Sequence, residues 1–180
     1  MKFVWVILLG GLAAGALDIL YAFVVFGPLS YGISPERVLQ SVAAGLIGRE
    51  ASRDGGMETA LLGLGLHFLI ATLMAAVYVL LATRITALTR QAVLWGLVYG
   101  LILYVAMNYV VVPLSAAGAN LHFASSFAEA GERLGAAFSQ VRGGGGDDYP
   151  WLIWGTIFTH AVLVGLPIAL IAKRFVGQQA

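Results

Sequence analysis

The chain has 180 residues, of which 60% are hydrophobic and only 11% are charged, and its net charge is +1. Soluble domains carry roughly a quarter charged residues, so this composition excludes an ordinary soluble domain and indicates a polytopic membrane protein in a lipid bilayer. The near-neutral charge argues against a nucleic-acid partner, which requires a basic surface. The absence of cysteine excludes disulfides, thiolate metal sites and cysteine nucleophiles.

The first apolar stretch begins as a signal peptide would, with Lys2 ahead of an apolar run that contains many small residues. The run continues to residue 27, however, and a helix of that length crosses the ~30 Å of a bilayer's hydrocarbon. Gly27 and Pro28 then end it. We therefore predict a first transmembrane helix over residues 3–27.

The first connection predicts an amphipathic helix over residues 34–53. Ser34 is a good N-cap and Pro35 suits the first helical turn. An apolar stripe follows with charged residues beside it, so this helix is expected to lie on the membrane surface or against the bundle.

The rest of the chain predicts three more spans and a second amphipathic helix. The spans cover residues 57–83, 91–115 and 151–172, and the amphipathic helix covers residues 120–141. In that helix Phe127 and Phe138 lie on the apolar side, whereas Arg133 lies on the polar side. Four glycines at 143–146 predict a flexible hinge. The predicted fold is all-α: residues 1–180 form a single transmembrane domain, a bundle of four transmembrane helices plus two extramembrane amphipathic helices.

Basic residues beside the spans predict the topology. The two termini and the middle link carry basic residues close to helix ends and no acid: Lys2, Arg84, Arg90, Lys173 and Arg174. The two long connections hold five arginines together with every acid of the chain except Asp18. Charges in short links weigh most. We therefore expect a multi-pass membrane protein with both termini in the cytoplasm.

Each predicted span contains one strongly polar side chain: Asp18, His67, Asn108 and His160. At a rise of 1.5 Å per residue, all four lie roughly 10–15 Å from the outer end of their helix. An ionisable group at membrane depth is costly and usually functional. The sequence therefore predicts one buried polar layer formed by these four residues, with three supporting side chains: Tyr21, Thr156 and Thr159.

Small residues share helix faces with these polar groups and predict close helix packing. Such residues let helix backbones approach each other, so they mark protein-facing surfaces. The glycines that we assign to this packing are Gly11, Gly15, Gly63, Gly96 and Gly100.

The polar layer leaves three interpretations open. Asp18 beside His67 would form a protonation switch in a small transport or proton-coupled protein. The same side chains could instead hydrogen-bond the helices together in a structural or accessory subunit that scaffolds a larger membrane complex. His67 and His160 could also ligate a haem iron or a metal ion, although two histidines are a thin signal and no cofactor is expected.

No catalytic motif stands out, because the serines Ser115, Ser125 and Ser126 have no base at a telling spacing. Four helices enclose little more than their own side chains. Conduction would therefore require a homo-oligomer, or a gap held open by the glycines.

The middle of the chain resembles the YagU-like bacterial inner-membrane proteins. The similar stretches run from His67 to Tyr78, from Gly96 to Gly100 and from Asn108 to Leu114, together with parts of the first and last spans that include Gly11 and His160. The resemblance covers about two thirds of the chain and implies a four-helix inner-membrane protein of no settled activity. It includes the two helix histidines, but the family pattern has no acid that matches Asp18.

Overall fold

The computed structural model describes residues 2–118, 122–143 and 147–176, and within these ranges every regular element is a helix. The all-α prediction is therefore confirmed. Most of the predicted glycine hinge, residues 144–146, lies outside the described residues, as do residues 120 and 121 of the second predicted amphipathic helix.

We number the helices α1 to α8 along the chain. Their bounds are as follows: α1 Lys2–Phe26, α2 Pro35–Ile47, α3 Arg49–Asp54, α4 Gly56–Ala82, α5 Thr86–Arg90, α6 Ala92–Leu114, α7 Phe127–Phe138 and α8 Leu152–Val176. Four of them, α1, α4, α6 and α8, are long and apolar enough to cross a membrane. They correspond to the four predicted spans, so the number of apolar helices is confirmed for the described part of the chain.

The segment predicted as one amphipathic helix, residues 34–53, forms two helices. Gly48 separates α2 from α3 with a φ of +84°, a backbone conformation that side chains disfavour. The chain turns there, and the Ser52 hydroxyl on α3 donates a hydrogen bond to the Gln40 carbonyl on α2. The apolar stripe of this segment ends at Ile47, so the glycine that follows it was the sequence signal for the turn.

The second amphipathic helix is shorter than predicted. It buries a charged side chain and leaves a large apolar one exposed. Phe127 on its apolar side is 98% exposed, whereas Arg133 on its polar side is only 8% exposed. The Arg133 guanidinium donates to the His122 carbonyl at 2.7 Å and pairs with Glu129 on the previous turn. The expectation that Arg133 lies on the outward polar side is wrong, because these partners compensate the burial of its charge.

The chain divides into two compact units. The first contains Met1–Tyr21, His67–Tyr104 and Gly155–Ala180, and the second contains Ala22–Leu66 and Val105–Trp154. The core of the first unit is built largely from alanines, and Ala14, Ala75 and Ala169 are fully buried there. In the second unit, Gly63 of α4 lies against the Leu39 carbonyl of α2, where a side chain would collide with the backbone.

Within the first unit, α1 packs closely on α4 at two glycines. A Cβ atom on Gly11 would lie 2.6 Å from the Cα of Thr72, and one on Gly15 would lie 2.8 Å from the Phe68 ring. Real Cβ atoms do not come so close to a neighbour, so both positions require glycine.

The contact of α6 with α8 is tighter still. A Cβ atom on Gly100 would overlap the carbonyl oxygen of His160, and one on Gly96 would lie 2.8 Å from the Cβ of Ala169. Gly165 of α8 in turn lies against the Gly96 carbonyl. Three glycines therefore bring the two backbones into direct contact, the arrangement expected of small residues between membrane helices.

Gly100→Ala should destabilise the protein, because the new methyl group forces α6 away from the His160 carbonyl. Overpacking of this kind lowers the free energy of unfolding by about 1–3 kcal/mol. Thermal unfolding of the detergent-solubilised protein, followed by tryptophan fluorescence, measures the effect.

Gly65→Ala is the matched control, since it adds the same methyl group to α4 where no atom lies within 4 Å. It should leave the melting temperature unchanged or raise it slightly, because alanine favours the helix. Equal losses in the two variants would contradict the prediction, because the loss would then not come from the α6–α8 contact.

Candidate functional site

Asp18 lies in the first unit, in the second half of α1, with polar groups at both carboxylate oxygens. The Thr159 hydroxyl on α8 donates a hydrogen bond to Oδ1 over 3.1 Å. The Nε2 atom of His67 on α4 lies 3.9 Å from Oδ2. Three separate helices therefore contribute to one cluster, which we call the Asp18 cluster and define as Asp18, His67 and Thr159.

The imidazole of His67 is oriented by the backbone of α1. Its Nε2 atom lies 2.8 Å from the Gly15 carbonyl oxygen. A carbonyl only accepts hydrogen bonds, so Nε2 carries a hydrogen and the neutral ring keeps its free lone pair on Nδ1. The missing side chain at Gly15 lets α4 come close enough for this contact.

The Asp18 cluster is not sealed inside the protein. The Asp18 side chain is 31% exposed and the His67 side chain is 12% exposed, whereas Thr159 is buried. The Asp18 carboxylate therefore reaches the surface of the protein, whereas its hydrogen-bond donor Thr159 is buried. A purely architectural pair would gain from complete burial with every polar atom in direct contact. The Asp18–His67 pair differs from such a pair, because its two side chains are 3.9 Å apart and partly exposed.

Thr159 belongs to an irregular part of α8. Residues Thr159–Gly165 form a π-helical segment, in which backbone hydrogen bonds span five residues instead of four. Pro167 follows, and its ring has no N–H to offer the Leu163 carbonyl and clashes with it in a regular helix. The wider segment accommodates this conflict and changes the direction in which Thr159 and His160 project.

His160 has contacts of its own beside the Asp18 cluster. Its Nδ1 atom donates to the Thr156 carbonyl over 2.8 Å, and its ring lies edge-on to Tyr104 at 5.9 Å. Consecutive helical residues do not face the same way, so His160 projects away from the direction of Thr159. Thr156 thus acts here through its backbone, whereas Thr159 acts through its side chain.

Asn108 belongs to the second unit, unlike the other three residues of the predicted polar layer. It lies in a π-helical segment of α6, Ala106–Val111, which comes shortly before Pro113. Both spans that contain an internal proline therefore carry their predicted polar residue on a π-helical segment. The prolines were the sequence signal for these irregularities, and the apolar periodicity did not reveal them.

Tyr21, predicted as a supporting residue, lies nearly one turn beyond Asp18 on α1. Its ring contacts Phe158 of α8, with centroids 6.2 Å apart. Tyr21 lies on the same helix as Asp18, and its ring contacts the helix that carries Thr159.

No three His, Cys, Asp or Glu side chains lie close enough to hold a metal ion, in the ranges 2–118, 122–143 and 147–176. His67 uses Nε2 toward Gly15, and His160 uses Nδ1 toward Thr156. Haem or metal ligation by the two histidines stays a prediction.

Comparison with known proteins finds no match for this chain among family models, curated proteins or solved structures. The resemblance to YagU-like proteins therefore stays a prediction. The function is inferred below from the contacts of the chain's own residues.

Thr159→Val should lower the stability of the protein, because it removes the hydroxyl that donates to Asp18 while keeping the shape of the side chain. Hydrogen bonds between membrane helices contribute about 0.6–2 kcal/mol. Thermal unfolding in detergent measures the loss.

Thr159→Ser, which keeps the hydroxyl, should retain most of the stability that the valine variant loses. If serine and valine are equally destabilising, the methyl contacts of Thr159 matter and its hydrogen bond to Asp18 does not.

Proposed function

We propose that this protein is a small proton-coupled transport protein of the bacterial inner membrane, in which Asp18 and His67 take up and release a proton. The observation that carries the proposal is the accessible Asp18 carboxylate, placed within a membrane-length helix and 3.9 Å from a histidine. Charged groups at membrane depth are rare, and they mark ion and proton pathways.

The chemistry of the pair suits proton exchange. Histidine is the side chain that ordinarily titrates near neutral pH. With Nε2 bonded to Gly15, a proton arriving at Nδ1 converts His67 to an imidazolium. That positive charge lies beside Asp18, and the attraction between them is strong where little water screens it. The proton on His67 and the charge on Asp18 are therefore coupled.

The distance leaves room for two arrangements of the pair. A separation of 3.9 Å is about 1 Å longer than a hydrogen bond, so a small rotation of Asp18 closes it. In one arrangement Asp18 accepts only from Thr159, and in the other it also shares the Nε2 hydrogen of protonated His67 with the Gly15 carbonyl. Switching between them would link proton binding to a movement of α1 against α4 and α8.

The irregular part of α8 supports such a movement. Thr159 lies at the start of a π-helical segment that precedes Pro167, and helices bend most readily at such segments. Interrupted helices of this kind commonly line the binding sites of transporters. Asp18 is thereby tied to a part of the bundle that bends more readily than a regular helix.

We also propose an orientation of the helices in the membrane and an oligomeric state of the protein. Both termini face the cytoplasm, as the basic residues of the short links favour. Since four helices enclose little space, the proton path runs beside the helices of an oligomer or through a gap at the glycine contacts.

Asp18→Asn should abolish proton movement while the protein stays folded. The asparagine oxygen can still accept from Thr159, but the side chain loses its charge and cannot exchange a proton. Purified protein is reconstituted in liposomes that enclose a pH-sensitive dye, and the dye response to an imposed pH step reports the flux. We expect the flux to fall by about 10²–10⁴-fold, the range typical for removing a proton-transfer group.

His67→Gln should also abolish the flux, because glutamine can donate to the Gly15 carbonyl but does not titrate. His122→Gln is the matched control, since His122 belongs to the other unit and its side chain is 57% exposed. It should move protons at the rate of the parent protein. If the Asp18 and His67 variants also do so, the cluster is architectural, and the role of a scaffolding subunit becomes the better interpretation.

A further inference from the structure

A cavity in the second unit has a different chemistry from the Asp18 cluster. It has a volume of about 540 Å³ and is lined by residues of α2, α3 and the end of α6 and by the residues that flank these helices. Three arginines line it, together with Gln40 and with the apolar side chains of Ile33 and Val112: Arg37, Arg49 and Arg53. Its volume is within the range of ordinary ligand sites.

The turn at Gly48 brings two of these arginines together. Arg37 donates from Nη1 to the Gln40 side-chain oxygen over 3.1 Å, and the same nitrogen lies 3.5 Å from the Arg53 carbonyl. Gln40 is itself buried, with 2% exposure, and donates to the Gly56 carbonyl over 3.0 Å. A buried side chain thus holds the Nη1 atom of Arg37, although all three arginines are exposed residues.

Arg49 is held from the other side. It donates to the Ala117 carbonyl from both Nε and Nη2, over 3.2 and 2.8 Å. Close by, the Ala116 amide donates to the Gly45 carbonyl over 3.1 Å. These contacts join α2 and α3 to the end of α6 and orient the guanidinium group with Nη1 left available.

Among the described residues no acid forms an ion pair with the arginines of this wall, although the Glu36 carboxylate lies 3.5 Å from the Gln40 amide nitrogen. In the described part of the chain, no carboxylate oxygen lies within 4.0 Å of a guanidinium nitrogen of the three arginines. Glu36, Glu50 and Asp54 lie on the same helices, but none of them lines the cavity. Each guanidinium has five N–H donors, and the contacts above use only a few of them.

We propose that this cavity binds a phosphoryl anion, carried either by the headgroup of an anionic lipid or as free phosphate. Arginine is the side chain whose planar fork matches phosphate oxygens, and three arginines around one cavity supply both the charge and the donors. The apolar residues Ile33 and Val112 provide a surface for the carbon atoms that a lipid headgroup would bring. The proposal does not depend on proton coupling at Asp18.

The test uses the full chain, purified in a neutral detergent and freed of lipid. Short-chain phosphatidic acid, inorganic phosphate and a diacylglycerol with the same acyl chains are added separately. Melting temperature and native mass spectrometry report binding. Phosphatidic acid should bind and raise the melting temperature, whereas diacylglycerol should not. Additional binding of inorganic phosphate would make the anion itself sufficient, and its failure would assign the site to a lipid. Equal effects of phosphatidic acid and diacylglycerol would overturn the proposal.

Arg53→Gln tests the site without disturbing the fold, because the Arg53 side chain makes no hydrogen bond within the described residues. We expect binding of phosphatidic acid to weaken by roughly tenfold, the effect of losing one charge-assisted hydrogen bond. Arg53→Lys keeps the positive charge but loses the planar guanidinium fork. Its affinity for phosphatidic acid should therefore lie between that of the parent protein and that of Arg53→Gln.

Arg90→Gln is the matched control, since it removes the same charge from an exposed arginine of the first unit. Its binding should equal that of the parent protein. Similar weakening in the Arg53 and Arg90 variants would show that net charge attracts the anion, and the proposed site would be wrong. Proton flux in the Asp18 and His67 variants is measured without added phosphate, so the two proposals succeed or fail separately.

Discussion

On a helix long and apolar enough to cross a membrane, a carboxylate such as that of Asp18 needs hydrogen-bond partners within the protein, since hydrocarbon would offer none. Asp18 accepts from the Thr159 hydroxyl, with His67 at 3.9 Å. Both partners come from other helices, so the bond holds only while α1, α4 and α8 keep their positions. Packing around the cluster serves this requirement: Gly15 lets His67 reach the backbone of α1, and Gly100 lets α6 approach α8 beside His160.

Backbone carbonyls are the second recurring element of the structure. They accept from His67 and His160 within the spans, and from Arg133 and Arg49 in the connections. His67 reaches the carbonyl of Gly15, a residue without a side chain, and His160 bonds to the Thr156 carbonyl from within a π-helical segment. Arg49 is held by the Ala117 carbonyl, whereas Arg133 also pairs with the Glu129 carboxylate. Polar side chains in this chain are therefore positioned mainly by the main chain, and two carboxylates, Asp18 and Glu129, add to this.

The two proposed sites contain different kinds of charged groups, and this difference explains why we propose a different chemistry for each. At the Asp18 cluster one carboxylate lies 3.9 Å from one imidazole, and the proposed role of this pair is to take up and release a proton. In the cavity of the second unit, three permanently charged arginines face no acid within ion-pair distance. Arginine does not titrate in proteins, so that site can bind an anion but cannot exchange protons.

The sequence by itself determined the four apolar helices and a strongly polar residue inside each, because span length and hydrophobicity are local properties of a chain. It also indicated the glycine faces, since small residues recur on one side of each helix. Only the tertiary structure decided which polar groups meet, because that depends on how each helix is rotated. It joined Thr159 to Asp18, placed Asn108 in the other unit, broke the first amphipathic helix at Gly48 and buried Arg133. Each outcome rests on contacts between residues far apart in the chain or on a local backbone turn, and hydrophobic periodicity encodes neither.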